Sequence, residues 1–192
     1  MNIKSVACMT ALALCAAGLS VGGCQSDGGS YGSSYASDGG LSAEAKAALS
    51  QLKAENPAAA ALASNAKGIL VFPSVVKGGF MVGAFHGTGA MIQNGRTTGY
   101  YDTSGGSYGL QAGLQSFSYA LFFMSDNDMR YLDKSGGWEL GVGPNITVVD
   151  KGIARSLTTT TARSGVYCFF FDQKGLMGGL GIQGSKITRI DR

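Results

Sequence analysis

Gly79-Phe-Met-Val-Gly83-Ala-Phe-His-Gly87-Thr-Gly89-Ala-Met-Ile92 decides the fold. Successive side chains of a β-strand point to opposite faces. Read that way, Gly79, Gly83, Gly87 and Gly89 share one face with Met81, Phe85 and Met91. Phe80, Val82, Ala84, His86, Thr88, Ala90 and Ile92 fill the other. One face is nearly bare. Interior strand glycine is destabilising, so its repetition on a single face implies sharp bending or the close approach of another backbone. The pattern recurs at Gly109, Gln111, Gly113 and Gln115, opposite Leu110, Ala112 and Leu114. It appears again at Gly179, Gly181 and Gln183, opposite Leu180 and Ile182. The expected fold is mainly β within the α+β class: glycine-rich, strongly curved antiparallel sheets forming a barrel or packed half-barrels, with short N-terminal helices.

Strands are expected at 68–72 (stopped by Pro73), 80–92, 97–102, 109–124, 138–149, 165–171 and 176–190, separated by Asn-Gly, Ser-Gly-Gly and Lys-Gly breaks. A helical turn fits 125–132, with Ser125 as its cap. Upstream, Leu41, Ala45, Leu49 and Leu52 recur at helical spacing and predict a helix from Leu41 to Asn56 with Ser42 as N-cap. Asn56-Pro57 then reads as N-cap and first position of a second short helix through Ala63.

Residues 25–40 are almost wholly Gly, Ser, Asp and Tyr, a composition that suits a tether with a typical span of roughly 22 Å. Residues 1–23 read as an export signal: Lys4 supplies a positive charge, and Val6 to Leu19 form an apolar run too short to span a bilayer. The run ends in Val21-Gly22-Gly23-Cys24, which resembles the bacterial lipobox, so Cys24 is the expected lipid-attachment residue. The domain division is therefore signal peptide 1–23, lipidated cysteine and linker 24–40, and a folded domain 41–192. Gln25, where aspartate would favour inner-membrane retention, points to a lipid-anchored protein of the cell envelope at the outer membrane.

Of the four cysteines, Cys8 and Cys15 lie in the signal, Cys24 is the anchor, and Cys168 in Val-Tyr-Cys-Phe-Phe-Phe is expected to be a buried small hydrophobe. Loss of Lys4 lowers the formal charge from +3 to +2, and the basic residues are scattered, which argues against nucleic acid as a partner.

Catalytic and metal chemistry find little material. His86 is the lone histidine, so any Ser-His-Asp relay would have to use it. Its place in an alternating strand favours a structural, satisfied histidine. His86 and Cys168 alone cannot make a zinc-type site, and Ser125-Asp-Asn-Asp-Met lacks the later glycine and glutamate of a calcium loop. Gly179-Leu-Gly181-Ile-Gln-Gly184 matches the dinucleotide spacing, but with no room for the acidic residue about 20 positions on. No metal, no cofactor and no enzymatic activity are expected.

Four stretches carry a further signal: Ala66-Lys-Gly-Ile-Leu-Val-Phe-Pro73, Val76-Lys-Gly-Gly-Phe-Met-Val-Gly83, Gly105-Gly-Ser-Tyr-Gly-Leu-Gln-Ala-Gly113 and Lys174-Gly-Leu-Met-Gly-Gly179. In order and content they resemble the SYLF domain, over about residues 41–190. The resemblance implies binding of phospholipids, phosphoinositides among them, and in fungal members of actin. It marks Lys67 and Lys77 as headgroup contacts. The lipobox and the lack of a signalling module turn the expectation from actin towards the anionic phospholipids of a bacterial membrane. The alternative is a structural envelope protein holding a protein partner through exposed aromatics such as Tyr100, Tyr101 and Tyr108.

Overall fold

The computed structural model describes residues 38–132, 137–139, 146–149, 164–175 and 185–191. Cys24, the signal, most of the tether and the Gly179–Gly184 motif lie outside them. Among the described residues three helices, α1 (Asp38–Glu55), α2 (Pro57–Ala63) and α3 (Asp126–Met129), accompany six strands: β1 (Gly68–Gln93), β2 (Arg96–Phe123), β3 (Trp138–Glu139), β4 (Ile146–Val148), β5 (Val166–Gly175) and β6 (Ser185–Ile190). The fold is mainly β, one sheet curled into a half-barrel.

β1 and β2 are 26 and 28 residues long, several times an ordinary strand, and pair antiparallel along their whole length. Asn94 (φ 51°) and Gly95 (φ 75°) form the two-residue turn between them. Two successive positive φ values are the primed turn geometry that suits strand twist, which is why Asn-Gly stands there. Expected strands 68–72 and 80–92 are thus one strand, and so are 97–102 and 109–124. Pro73 does not stop the first of them. It sits in a register shift between Phe72 and Val75, where a bulge spares the N–H that proline lacks, and its carbonyl accepts a hydrogen bond from Ser118 Oγ at 2.7 Å.

The glycines explain how such long strands stay compact. A β-carbon on residue 89 would lie 2.6 Å from both the Phe72 ring and the Val71 carbonyl oxygen, and one on residue 87 would lie 2.7 Å from Val75 Cγ2. At residue 79 it would run into Val82 O and Gly83 Cα. The two halves of β1 therefore press together through their glycine positions, and the strand is creased between Gly79 and Gly83. A register shift between Phe80 and Val82 falls at the crease, where a bulge adds local bend. β2 folds with it: Tyr119 Oη donates to Thr103 Oγ1 at 2.8 Å across the doubled ribbon.

Folding the ribbon in half creates an inner face and an outer one. The inner core gathers Leu70, Phe72, Phe85, Met91, Tyr101, Tyr119, Leu121, Phe123, Trp138, Val166, Cys168 and Ile187. Phe72 stacks on Tyr119 with ring centroids 4.6 Å apart. On the outer face Ile69, Val71, Ala90, Ile92, Ala120, Phe122 and Phe169 are covered by Ala45, Leu49 and Leu52 of α1 and Ala58, Ala59 and Leu62 of α2. Strand segments 69–72 and 120–123 are buried on both faces, so their apolar runs are continuous rather than alternating. Each fully buried large side chain contributes about 1.5–3 kcal/mol.

β2 also pairs with β6 through its first half and with β5 through its second. One expectation fails in detail, since β4 joins β5 in parallel. At the N-terminal side the helix begins at Asp38 rather than after a Ser42 cap. Ser42 lies inside α1 and its hydroxyl shares a 2.6 Å hydrogen bond with Thr97 Oγ1. The second helix starts as expected, with Asn56 Oδ1 accepting from the N–H groups of Ala58 and Ala59.

Candidate functional site

Creasing β1 brings its beginning and end to one pole of the domain. There an open cleft of about 760 Å³ is lined by Ser64, Asn65, Ala66 and Lys67 after α2, Gln93, Asn94, Arg96 and Thr98 around the hairpin turn, and Asp126. Backbone bonds hold each part of the rim. The Lys67 N–H donates to Phe123 O at 2.8 Å, Ala66 N–H closes α2 on Leu62 O, and Arg130 N–H closes the turn begun by Asp126. Gly68 lets this rim settle: a β-carbon there would lie 2.6 Å from Met129 Sδ and 2.9 Å from Met91 Sδ.

Lys67, Arg96 and Asp126 are all exposed, and no ion pair joins any two of them. Asn65, Asn94, Gln93 and the hydroxyls of Ser64 and Thr98 surround them with neutral donors and acceptors. Such a rim suits a polar ligand with an anionic group: two cations that form no ion pair outnumber the one carboxylate, and amides and hydroxyls stand within reach of the same volume. A smaller groove of about 290 Å³ adjoins it through Thr98 and adds Arg189.

Of the two lysines marked by the family resemblance, only Lys67 reaches this cleft. Lys77 lies on the inner face, 3% exposed, paired in register with Gln115, which is also buried. The two are not brought together, and in this conformation Lys77 is out of reach of a headgroup at the surface. The turn to the inside follows from the alternation that buries Val75 and Phe85, odd positions like Lys77. Arg96, Asn94 and Asp126 were missed from sequence. The signal for them was the Asn94-Gly95 turn, which faces Lys67 only because the strand between them folds in half.

The remaining candidates have plain positions. Cys168 is fully buried in the inner core, and burial pushes its thiol far above the usual range. His86 departs from the satisfied structural residue expected: its side chain is 64% exposed on the outer face, with Nδ1 3.5 Å from Asp102 Oδ1. Ser104 is its register partner, yet no hydrogen bond joins Ser104 to His86, so the pair lacks the nucleophile-to-base link of an acyl-transfer relay. Asp128 is a buried cap. Its Oδ2 accepts from Ser125 Oγ and from the Gly165 N–H, while Ser125 Oγ accepts from the Asp128 N–H. Of the aromatics named for a protein partner, Tyr101 is not exposed but lies in the inner core at 4%, and Tyr100 is half-buried against the outer core. The side chain of Tyr108 lies outside the described residues.

Among the described residues no group of three or more His, Cys, Asp or Glu is placed to hold a metal ion, and no helix is long and apolar enough to cross a membrane. No protein-family model and no curated protein matches the chain.

Proposed function

We propose that this is a bacterial lipoprotein of SYLF type, anchored through Cys24 to the envelope membrane, at the outer membrane, whose domain binds phospholipid headgroups without catalysing a reaction. The observation that carries the reading is the cleft, where Lys67 and Arg96 stand exposed and without an ion-pair partner beside Asn, Ser and Thr side chains, against a single carboxylate, Asp126. Its position supports the same reading. Ser42, in the first turns of α1, is bonded to Thr97, so the start of this helix lies beside Arg96 and Thr98 of the cleft. A lipid on Cys24 would confine the domain to a surface and raise the local concentration of headgroups, making a weak site sufficient.

The test is sedimentation with liposomes of the chain from residue 24 carrying Cys24→Ser, so that no lipid anchor contributes. Binding to vesicles containing phosphatidylglycerol, weaker binding to phosphatidylcholine alone, and loss of the difference in Lys67→Ala/Arg96→Ala are the expected results. Equal binding to both vesicle types, or none, would overturn the proposal.

A further inference from the structure

Among the described residues, five large apolar side chains are well exposed, and four of them sit together: Val76, Phe80, Val82 and Leu114. Phe80 is 77% exposed, Leu114 63% and Val82 61%. Register gathers them. Leu114 is opposite Gly78, Ala112 opposite Phe80 and Ser116 opposite Val76, so the four stand on the outer face around the crease. The helices do not reach this far, because the outer cluster that they cover stops at Val71, Ala90 and Ala120.

The exposure is imposed from inside. At the crease the inner face is occupied by backbone, with Gly79 against Val82 and Gly83 and no space for even a β-carbon. Side chains alternate, so whatever bulk this segment carries must point outward. Small or polar residues would satisfy that geometry, yet the outward positions hold Phe80, Val82 and Leu114.

Charge and size say what such a surface fits. Residues 74–86 and 103–118 contain no Asp, Glu or Arg, and their one lysine, Lys77, is buried. Among the described residues no acidic side chain lies within these segments, and the nearest titratable pair on this face is His86 with Asp102 at the margin. Beyond Val76, the next strand along from Ser116 presents Lys174, exposed beside Asp172. A stable protein interface needs about 800 Å² from each partner. Three aliphatic side chains and one aromatic fall well short of that, since even a whole aromatic buries only about 150–250 Å². A bilayer, in contrast, accepts a few apolar side chains that project from a small tip.

We infer that the crease is a membrane-inserting tip, with Phe80, Val82 and Leu114 entering the acyl boundary of a lipid bilayer and Val76 at its edge. The inference rests on the lipid-binding reading and adds to it a second contact surface remote from the cleft. From Phe80 to Gln93 the strand is about a dozen residues long, on the order of 40 Å.

Trp138 is the only tryptophan and is 2% exposed, which makes a tryptophan introduced at the tip a clean reporter. In the chain from residue 24 carrying Cys24→Ser and Phe80→Trp, saturating phosphatidylglycerol/phosphatidylethanolamine vesicles should shift the added emission to the blue. Vesicles with brominated acyl chains should quench it. Phe80→Asp/Val82→Asp should lower vesicle partitioning about tenfold or more and leave the urea midpoint unchanged, because both positions face solvent. Bound protein with an unshifted, unquenched tip tryptophan would overturn the tip while leaving the cleft reading intact. Quenching that persists when Lys67→Ala/Arg96→Ala has no effect would support the tip and overturn the cleft. No sedimentation at all would overturn both, and a dimer that forms without vesicles and is lost in Phe80→Asp would assign the patch to a second copy of the chain.

Discussion

A β-carbon on residue 79 would overlap the α-carbon of Gly83, four positions along the same strand. Strands do not normally meet themselves at so short a separation, and this contact sets where the β1–β2 ribbon turns over. Gly79→Ala should therefore destabilise the domain by about 1–3 kcal/mol, because the obstacle is backbone and cannot rotate aside. Gly106→Ala makes the contrast: its added carbon would come no nearer than 3.8 Å, to Gly83 O, and the change should be neutral or stabilising by up to about 1 kcal/mol. Urea midpoints of the two variants decide the matter. Equal effects would mean that the crease does not depend on close approach.

Alkali should unfold the protein through two buried groups. Burial holds the Cys168 thiol and the Tyr119 phenol protonated in the native state, against ordinary values of 9.0 and 10.0. The unfolded chain loses these protons first, so the native state binds more protons and stability declines as pH rises. The contribution is whole below about pH 9 and falls thereafter, by up to about 1.4 kcal/mol per pH unit for each group. Urea midpoints between pH 8 and 11 should show the decline, and Cys168→Ala should remove its first part. A flat profile would contradict the burial of both groups.

Asp128 ties α3 to the start of β5, since its Oδ2 accepts both the Ser125 hydroxyl and the Gly165 N–H. Asp128→Ala strands two donors and should cost about 1–3 kcal/mol. Hydrogen exchange should then rise at Gly165 and at the first turn of α3 rather than through β1. Uniform exchange across the sheet would show that the tie is global instead.

Headgroup binding at the cleft should be sensitive to salt, whereas insertion at the crease should not. Lys67→Ala and Arg96→Ala should each weaken binding to phosphatidylglycerol vesicles by about fivefold at low ionic strength. The deficit should shrink as salt rises to about 0.5 M, with a Debye length then of only a few ångströms. Salt-independent losses would point to a folding defect in the variants.

Glycine alternation was enough to read the curvature from sequence, because a bare strand face has few physical causes. It did not tell which face turns inward. Periodicity assigns Phe80 and Val82 to one side and the glycines to the other, and the usual rule places apolar side chains inside. Here the halves of β1 touch through the glycines, so the rule inverts at the crease and holds again at Ala90 and Ile92, where helices cover the outer face. The same limit applied to the site. Lys67 lay in a visible motif, but its neighbours Asn94 and Arg96 are separated from it by the whole of β1, and only the fold in that strand closes the gap. Lys77 shared the motif pattern and went inward because its parity is that of Val75 and Phe85. Motif spacing carries no information on parity.

A ribbon doubled on itself keeps its own measure of length. Gly79, Gly87 and Gly89 each meet the other half of β1 at a position counted from the crease, and each residue added to one half flips the facing of all those between it and the next turn. The domain can therefore be lengthened or shortened only in dipeptide steps made together in all four half-strands. Single insertions should survive at the Asn94-Gly95 turn and fail elsewhere in the hairpin, so its dimensions are inherited as a set rather than residue by residue.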